Sequence, residues 1–274
     1  IVQAVFKQGE QKSAANDHAG AAQAYLRAAR EFPKDPRAAQ ACVNAELSAQ
    51  KAGDVTTLKE AAKLVTSREY ATRPEAPQGA WIAASTLQAM GLFGDAADLH
   101  EAIAQNADKD HPNYQKFEHT KDAGYNAVVL RVATGEHDKA IAAGNKYLAV
   151  WGSSAEADEV VFEMGRAHQN AGRNKEAVDL YRRYVGRTKN LDHRVQGLVL
   201  LAMAQQKTDD EKGSDLSLKE AVSLGRQRGR ELGADGKFYA AKARYMEGEK
   251  ILRRFDQIQI QGDVKQLSAR LKQK

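Results

Sequence analysis

Histidine, cysteine and carboxylate side chains are the groups in this chain that could carry chemistry. Two imidazoles bind a metal from one helical face when they lie four residues apart. The seven histidines are His18, His100, His111, His119, His137, His168 and His193. Because no two of them have that spacing, we predict no metal site and interpret them as surface, turn or packing residues.

Nucleophilic catalysis needs a serine or cysteine beside an oriented base. Cys42 lies between Ala41 and Val43 in a helical pattern, which predicts a small buried residue. No Gly-x-Ser-x-Gly motif occurs. Residues 233–237 read GADGK, but no strand precedes them and the glycine spacing differs from that of a phosphate-binding loop. We therefore predict a non-catalytic protein without a cofactor.

Composition and charge narrow the class of protein. The 274 residues are 42% hydrophobic but only 7% aromatic, which favours close helix packing, and five prolines are too few for a β-sandwich. No apolar run is long enough to span a membrane. Residues 1–181 carry 20 Lys/Arg against 24 Asp/Glu, whereas residues 182–274 carry 21 against 12, so the C-terminal third is basic. The chain opens on Ile1 and stops in mid-pattern, and we expect it to be an excerpt of a longer protein.

Residues 158–191 show how the chain is built, and they read DEVVFEMGRAHQNAGRNKEAVDLYRRYVGRTKNL. Two helical patterns are joined at Gly172. Gly165 and Ala177 are the small residues that let the two helices approach, and Tyr181 fills the space beside them. This arrangement resembles a tetratricopeptide repeat (TPR), a helix-turn-helix unit of about 34 residues.

Further copies of the pattern give the fold. We place repeats at residues 2–35, 36–70, 77–110, 121–154 and 158–191, with a loop at 108–113 and loose packing expected at Gly144. A sixth hairpin follows at 194–232, with a polar insertion at 208–215 in place of a tight turn. A long helix at 237–257 has Phe238, Ala241, Tyr245, Leu252 and Phe255 on one face, and a short helix begins at Asp263.

These elements predict an all-α fold, an α-solenoid of about six TPR-like hairpins with a longer and a short helix at the C-terminus. We expect residues 1–191 to form a right-handed superhelix and residues 192–274 to continue it. Terminal helices of such arrays expose a face that a neighbouring repeat would otherwise cover.

The resemblance implies that the first helix of each repeat lines a concave groove that binds extended peptides or helices. On this alignment one equivalent position holds an aromatic residue in four repeats: Phe6, Trp81, Tyr125 and Phe162. Aromatic side chains are effective interface anchors. The alternative is that these rings wedge between adjacent first helices as packing residues.

The neighbouring groove positions are polar: Gln3, Glu10, Gln78, Ser85, Gln88, Asp122, Glu159, Arg166 and Gln169. With the four aromatics, we predict Gln78, Gln88, Arg166 and Gln169 as partner-binding residues. The set lacks the Lys and Asn cluster with which chaperone-binding relatives hold a C-terminal carboxylate. A protein or peptide with apolar anchors and some basic residues is the predicted partner, and we expect no small-molecule substrate.

Two alternatives concern the basic third of the chain. Arg226, Arg228, Arg230, Lys237, Lys242, Arg244, Lys250, Arg253 and Arg254 could bind nucleic acid or an anionic surface, although exposed interleaved aromatics are lacking. Self-assembly through an exposed terminal helix is the other alternative.

Residues 237–274 resemble a segment of envelope-associated TPR proteins of myxobacteria, which include parts of gliding-motility and secretion-type assemblies. That resemblance implies a periplasmic adaptor with envelope-protein partners. A cytoplasmic location is the alternative.

Overall fold

The computed structural model describes residues 2–107, 110–257, 268–269 and 271–272. Throughout these residues the regular secondary structure is helical, so the all-α prediction is confirmed for the described chain. The chain forms two compact units, Ile1–Ala167 (unit 1) and His168–Lys274 (unit 2). The boundary near residue 191 and the right-handed superhelix stay predictions.

Unit 1 contains four complete helical hairpins and the greater part of a fifth first helix. Its helices are α1 Val2–Ala14, α2 His18–Glu31, α3 Ala38–Ala52, α4 Val55–Val65, α5 Ala76–Ala89, α6 Phe93–Gln105, α7 Pro112–Lys116, α8 Thr120–Ala133, α9 His137–Trp151 and the start of α10 Ala157–Asn170. The helices of the hairpins lie within one residue of the predicted repeat bounds. The short helix α7 was not predicted and begins inside the segment 108–113 that the sequence assigned to a loop. Pro112 opens this short helix, because proline at the first helical position has no amide hydrogen that needs a partner.

The turns inside the hairpins depend on residues that accept a left-handed backbone. Gly53, Gly91, Gly135 and Gly172 have φ values of 68°, 77°, 76° and 77°. Asp54 follows Gly53 and caps α4, its carboxylate accepting from the amide of Thr57 at 3.0 Å. A glycine ends the first helix of each of these hairpins, and the second helix begins within two residues of it. Because this role favours glycine so strongly, the turn positions could be predicted from the sequence.

Small residues set the distance between the two helices of a hairpin. In the first repeat the Tyr25 ring lies against Gly9, where an added Cβ would come within 2.7 Å of the ring. The expectation of loose packing at Gly144 is wrong. Met164 of α10 fills the place of the missing aromatic ring, and a Cβ on Gly144 would lie 2.5 Å from its Cγ.

Unit 2 continues the pattern with longer helices. They are the end of α10, α11 Asn174–Arg187, α12 Leu191–Lys207, α13 Glu211–Gln227 and α14 Ala234–Gln257. The predicted polar insertion at 208–215 is wrong, because Asp209 adopts φ 60° and closes a tight turn from which α13 starts at Glu211. Asp210 caps α13 through the amide of Gly213 at 2.9 Å.

The beginning of α14 is held to α12. Both carboxylate oxygens of Asp192 accept from the amide of Gly233, at 3.0 and 3.1 Å. Gly236, Ala240 and Ala243 form the buried face of α14, and α12 and α13 pack against this helix. The predicted start of the last helix at Asp263 lies outside the described residues.

Candidate protein-binding site

Four first helices of unit 1, α1, α5, α8 and α10, carry predicted binding residues. On α5, Gln78 and Trp81 are three residues apart, and on α8 the same spacing separates Asp122 from Tyr125. Residues three or four apart share a helical face. Trp81 of α5 stacks on His119, the residue before α8, and Tyr125 of α8 is close enough to Glu159 and Glu163 of α10 for their charges to act on it. We call Trp81, His119, Asp122, Tyr125, Glu159, Glu163 and Arg166 the first-helix strip.

Trp81 lies at the centre of an aromatic cluster and is partly exposed. The His119 ring, at the start of α8, stacks on the indole with centroids 4.5 Å apart and planes 12° apart. Phe117 and His100 meet the indole edge-on, at 6.4 and 5.2 Å. His100 is buried, its Nε2 lies 3.2 Å from Gln88 Oε1, and burial lowers its pKa to about 4. The cluster therefore fixes the indole while leaving part of it accessible.

Tyr125 lies beside the carboxylates of α10. Burial raises the pKa of Tyr125, and the charges of Glu159 and Glu163 raise it further. The pKa of Glu163 is itself raised by burial, which outweighs the opposing effect of Arg166, a charge partner 3.1 Å away. Asp122, half-exposed, lies on the same face of α8. Negative charge therefore surrounds a half-buried phenol, which favours a cationic ligand.

The other two predicted anchors are more enclosed. Phe6 packs edge-on against Tyr25 at 5.3 Å, and the Arg37 guanidinium lies 5.9 Å from its ring centroid. Phe162 is only 5% exposed and belongs to the buried core residues. A ring this enclosed offers almost no surface to a partner, so the packing alternative describes Phe162 better and we leave it out of the site.

The polar residues predicted to bind a partner also differ in availability. Gln78 is exposed. Gln88 is engaged with His100, and Gln169 accepts a hydrogen bond from the Tyr181 hydroxyl at 2.9 Å. Both amides therefore support helix packing in this structure. Their partner-binding role stays a prediction.

Two buried charged groups lie away from the strip. Arg131 of α8 bonds three carboxylates that belong to α6 and to the residue before α9: Asp98 at 2.5 Å, Glu101 at 3.0 Å and Glu136 at 2.5 Å. Glu46 of α3 is fully buried, and neither carboxylate oxygen has a hydrogen-bond partner. Burial holds the pKa of Glu46 well above its usual range.

A cavity and a buried thiol are further features that could carry chemistry. A cavity of about 350 Å³ lies between α6, α8 and α9, lined by apolar residues such as Ala104, Ala127 and Trp151, and contains none of the predicted binding residues. No group of three or more His, Cys, Asp or Glu side chains in the described chain is arranged to hold a metal ion. Cys42 is buried, and burial raises its pKa to about 12, which leaves the thiol protonated at neutral pH.

Part of the basic surface of unit 2 is neutralised. Lys250 bonds Glu211 at 3.0 Å and Asp215 at 2.8 Å. Arg228 pairs with Glu231, and Arg254 with Asp215. Paired cations attract phosphate groups less strongly than free ones. The expectation that exposed aromatics are lacking among these basic residues is wrong, because Phe238 and Tyr245 of α14 are 61% and 66% exposed. None of the helices in the described ranges has both the length and the apolar composition that crossing a bilayer requires.

The structure adds residues that sequence reasoning missed. His119 was interpreted as a surface or turn histidine, yet it stacks on Trp81. Glu163 was not assigned, although it lies four residues after Glu159 on the same helical face. That spacing is a usable signal for Glu163, whereas the sequence has no signal that brings His119 to α5.

No family profile matches the chain, and no curated protein sequence matches it. Among solved structures it is similar to the nearly identical TPR-like repeats of a Podosopora anserina protein, with 17% identity, coverage of 71% of this chain and 98% of that chain, and a TM-score of 0.47. MamA AMB-1 has 17% identity, coverage of 70% and 94%, and a TM-score of 0.47. BtubC (BKLC) from P. vanneervenii has 12% identity, coverage of 82% and 92%, and a TM-score of 0.48. These likenesses concern the arrangement of helices alone.

Proposed function

We propose that this chain is a non-catalytic scaffold that binds a protein partner along the first-helix strip of unit 1. The proposal rests on the partly exposed Trp81, which the stacked His119 ring holds in place, and on the half-buried Tyr125 beside the acidic residues of α10. An indole held in place loses little side-chain freedom on binding, and aromatic residues of this kind dominate interface energies.

The chemistry of the strip defines the partner. Asp122, Glu159 and Glu163 outnumber Arg166, so the surface carries negative charge around apolar anchors. The partner is an extended or helical segment with an apolar residue near Trp81 or Tyr125 and Lys or Arg residues between. Unit 1 as a whole has 18 Lys/Arg against 22 Asp/Glu, which supports attraction of a basic segment.

A peptide array tests this proposal with the complete 274-residue chain. We expect the chain to bind peptides that combine Leu or Phe with Lys or Arg, and to bind their acidic counterparts weakly. Asp122→Lys should weaken binding of the selected peptides about tenfold at low salt, since it reverses a rim charge. Glu69→Lys, the same charge change at an exposed position outside the first helices, is the matched control and should leave binding nearly unchanged.

The anchors are tested with a second pair of variants. Tyr125→Ala should abolish most peptide binding while the chain keeps its helical circular dichroism, whereas Tyr125→Phe should retain binding because the apolar ring remains. Phe162→Ala removes a buried ring and should lower the thermal midpoint, since it leaves a cavity. Equal peptide binding by wild type, Asp122→Lys and Tyr125→Ala would refute the proposal.

We further propose that the scaffold works in a bacterial envelope assembly such as a gliding-motility machine and is periplasmic. This proposal rests on the resemblance, noted from the sequence of residues 237–274, to envelope-associated TPR proteins. Fractionation of cells that express the protein tests it, and recovery in the cytoplasm would contradict it.

A further inference from the structure

The face of α14 opposite its buried side is apolar and exposed. Phe238 is 61% exposed, Tyr245 66%, Leu252 58% and Phe255 40%. Together with Ala241 and Gly248, these residues recur at alternating intervals of three and four, the spacing of a coiled-coil seam. We call Phe238, Ala241, Tyr245, Gly248, Leu252 and Phe255 the α14 stripe. Contiguous exposed apolar surface of this kind marks an interaction site.

We propose that a second copy of this chain covers the α14 stripe, with the two α14 helices antiparallel about a two-fold axis. A two-fold interface must be complementary to itself, because each surface meets a copy of itself. The intervals between residues of the α14 stripe read the same in both directions along the helix. Two antiparallel copies of the stripe therefore place stripe residues opposite one another. Phe238 then lies opposite Phe255 of the second copy, Ala241 opposite Leu252, and Tyr245 opposite Gly248.

Gly248 supports this pairing independently. Glycine weakens the interior of a helix and is retained where something must approach closely. Among the residues that the structure describes, nothing lies within 4 Å of a Cβ built on Gly248, so no contact with this part of the chain accounts for the glycine. The ring of Tyr245 from the second copy fits into that space. The two-fold axis produces the same contact a second time, between Tyr245 of the first copy and Gly248 of the second.

Charges at the edges of the α14 stripe agree with the same arrangement. Lys242 and Glu249 flank the stripe on one side. In the antiparallel pairing Lys242 of each copy lies beside Glu249 of the other, which gives two ion pairs across the axis. Flanking charges of this kind set partner and direction in paired helices.

The size of the contact indicates a weak but specific dimer. The α14 stripe is about 26 Å long at 1.5 Å per helical residue. Its three rings, roughly half exposed from about 200 Å² each, with Leu252 and the neighbouring Ile251, cover about 500 Å² per copy. The total of about 1,000 Å² is at the lower end for specific interfaces. We therefore expect association at micromolar concentration.

Sedimentation velocity on the 274-residue chain tests the dimer. From about 1 to about 300 µM the apparent mass should rise from 30.0 kDa towards twice that value. Tyr245→Glu should keep the chain monomeric throughout. Leu216→Glu, the same substitution type at an exposed apolar residue of α13, is the control and should dimerise like wild type. A monomer at every concentration, or a dimer that Tyr245→Glu leaves intact, overturns the proposal.

The Gly248→Leu variant separates a loss of dimerisation from a loss of stability of the monomer. The substitution should block dimerisation because the new side chain occupies the place of the second copy's tyrosine. It should leave the thermal midpoint of the monomer unchanged or raised, since leucine favours the helix. A Gly248→Leu variant that dimerises as well as wild type contradicts this geometry.

The antiparallel orientation of the two α14 helices is tested by reversing the charges of Lys242 and Glu249. Lys242→Glu and Glu249→Lys should each weaken the dimer about tenfold at low salt, since two attractive pairs become repulsive. An equimolar mixture of the two variants should recover dimerisation, because every pair across the axis is then opposite in charge. Failure of the mixture to recover refutes the antiparallel pairing. These variants lie outside the first-helix strip, so peptide binding and dimerisation can fail separately.

Discussion

Glu46 offers the sharpest test of how burial determines the energetics of unit 1. Its side chain on α3 is fully buried, and an added Cβ on Gly79 of α5 would lie 3.0 Å from Oε2. Both oxygens lack hydrogen-bond partners. An unsatisfied buried polar group costs about 1–3 kcal/mol even when it is neutral. Methionine has a similar length and no polar oxygen, so Glu46→Met should raise the free energy of unfolding by about that amount at low pH.

The pH dependence gives this prediction a definite sign. The pKa of Glu46 is raised in the folded protein above the ordinary value of 4.5, so the folded state holds the proton more tightly than the unfolded chain. The stability that this proton linkage contributes is fully present below pH 4.5 and is lost as the pH rises through the folded pKa. Between pH 4.5 and the raised pKa of Glu46, the difference in the free energy of unfolding between Glu46→Met and wild type should therefore grow by about 1.4 kcal/mol per pH unit.

Denaturant unfolding followed by tryptophan fluorescence is the appropriate assay. Both tryptophans, Trp81 and Trp151, lie in unit 1, so the signal reports the unit that contains Glu46. Glu10→Met changes an exposed carboxylate on α1 and is the matched control. It should shift the unfolding midpoint little and add no pH slope. If Glu46→Met destabilises unit 1, or if its advantage does not change between about pH 5 and pH 9, the carboxyl is paired or ionised and the reasoning is wrong.

Three further predictions concern contacts within unit 1. Arg131→Met should destabilise unit 1 by about 3 kcal/mol, because it leaves three carboxylates without their shared cation. Hydrogen bonds from Lys139 and Arg131 lower the pKa of Glu136 to about 2, so wild type should lose more stability than Glu136→Gln between pH 4.5 and pH 2 in acid titrations followed by circular dichroism. Gly144→Ala should lower the thermal midpoint because its methyl group overlaps Met164. Met164→Ala should also lower it, and the two losses should be less than additive in the double variant because the overlap is then gone. Additive losses in the double variant would contradict the assigned overlap.

The turns and helix pairings were readable from the sequence because they depend on local rules. A glycine with φ near 77° closes the hairpin at Gly91 and Gly172, and only a residue without a Cβ adopts that conformation cheaply. Where the turn used Asp209 instead, the local signal was absent and the sequence predicted an insertion. Small residues such as Gly165 predicted a close helix approach for the same steric reason, and Gly9 shows such an approach in the first repeat.

The exposure of a given side chain depended on the tertiary structure. Tyr125 and Phe162 occupy equivalent repeat positions, yet the first is half-buried and the second is enclosed. Their difference depends on which neighbouring helices pack over each position, and the spacing within one repeat carries no information about that. The sequence by itself determined the helical hairpins and their turns. Only the tertiary structure decided that Glu46 is buried without a partner and that the α14 stripe is exposed, because burial is a property of the stack of repeats.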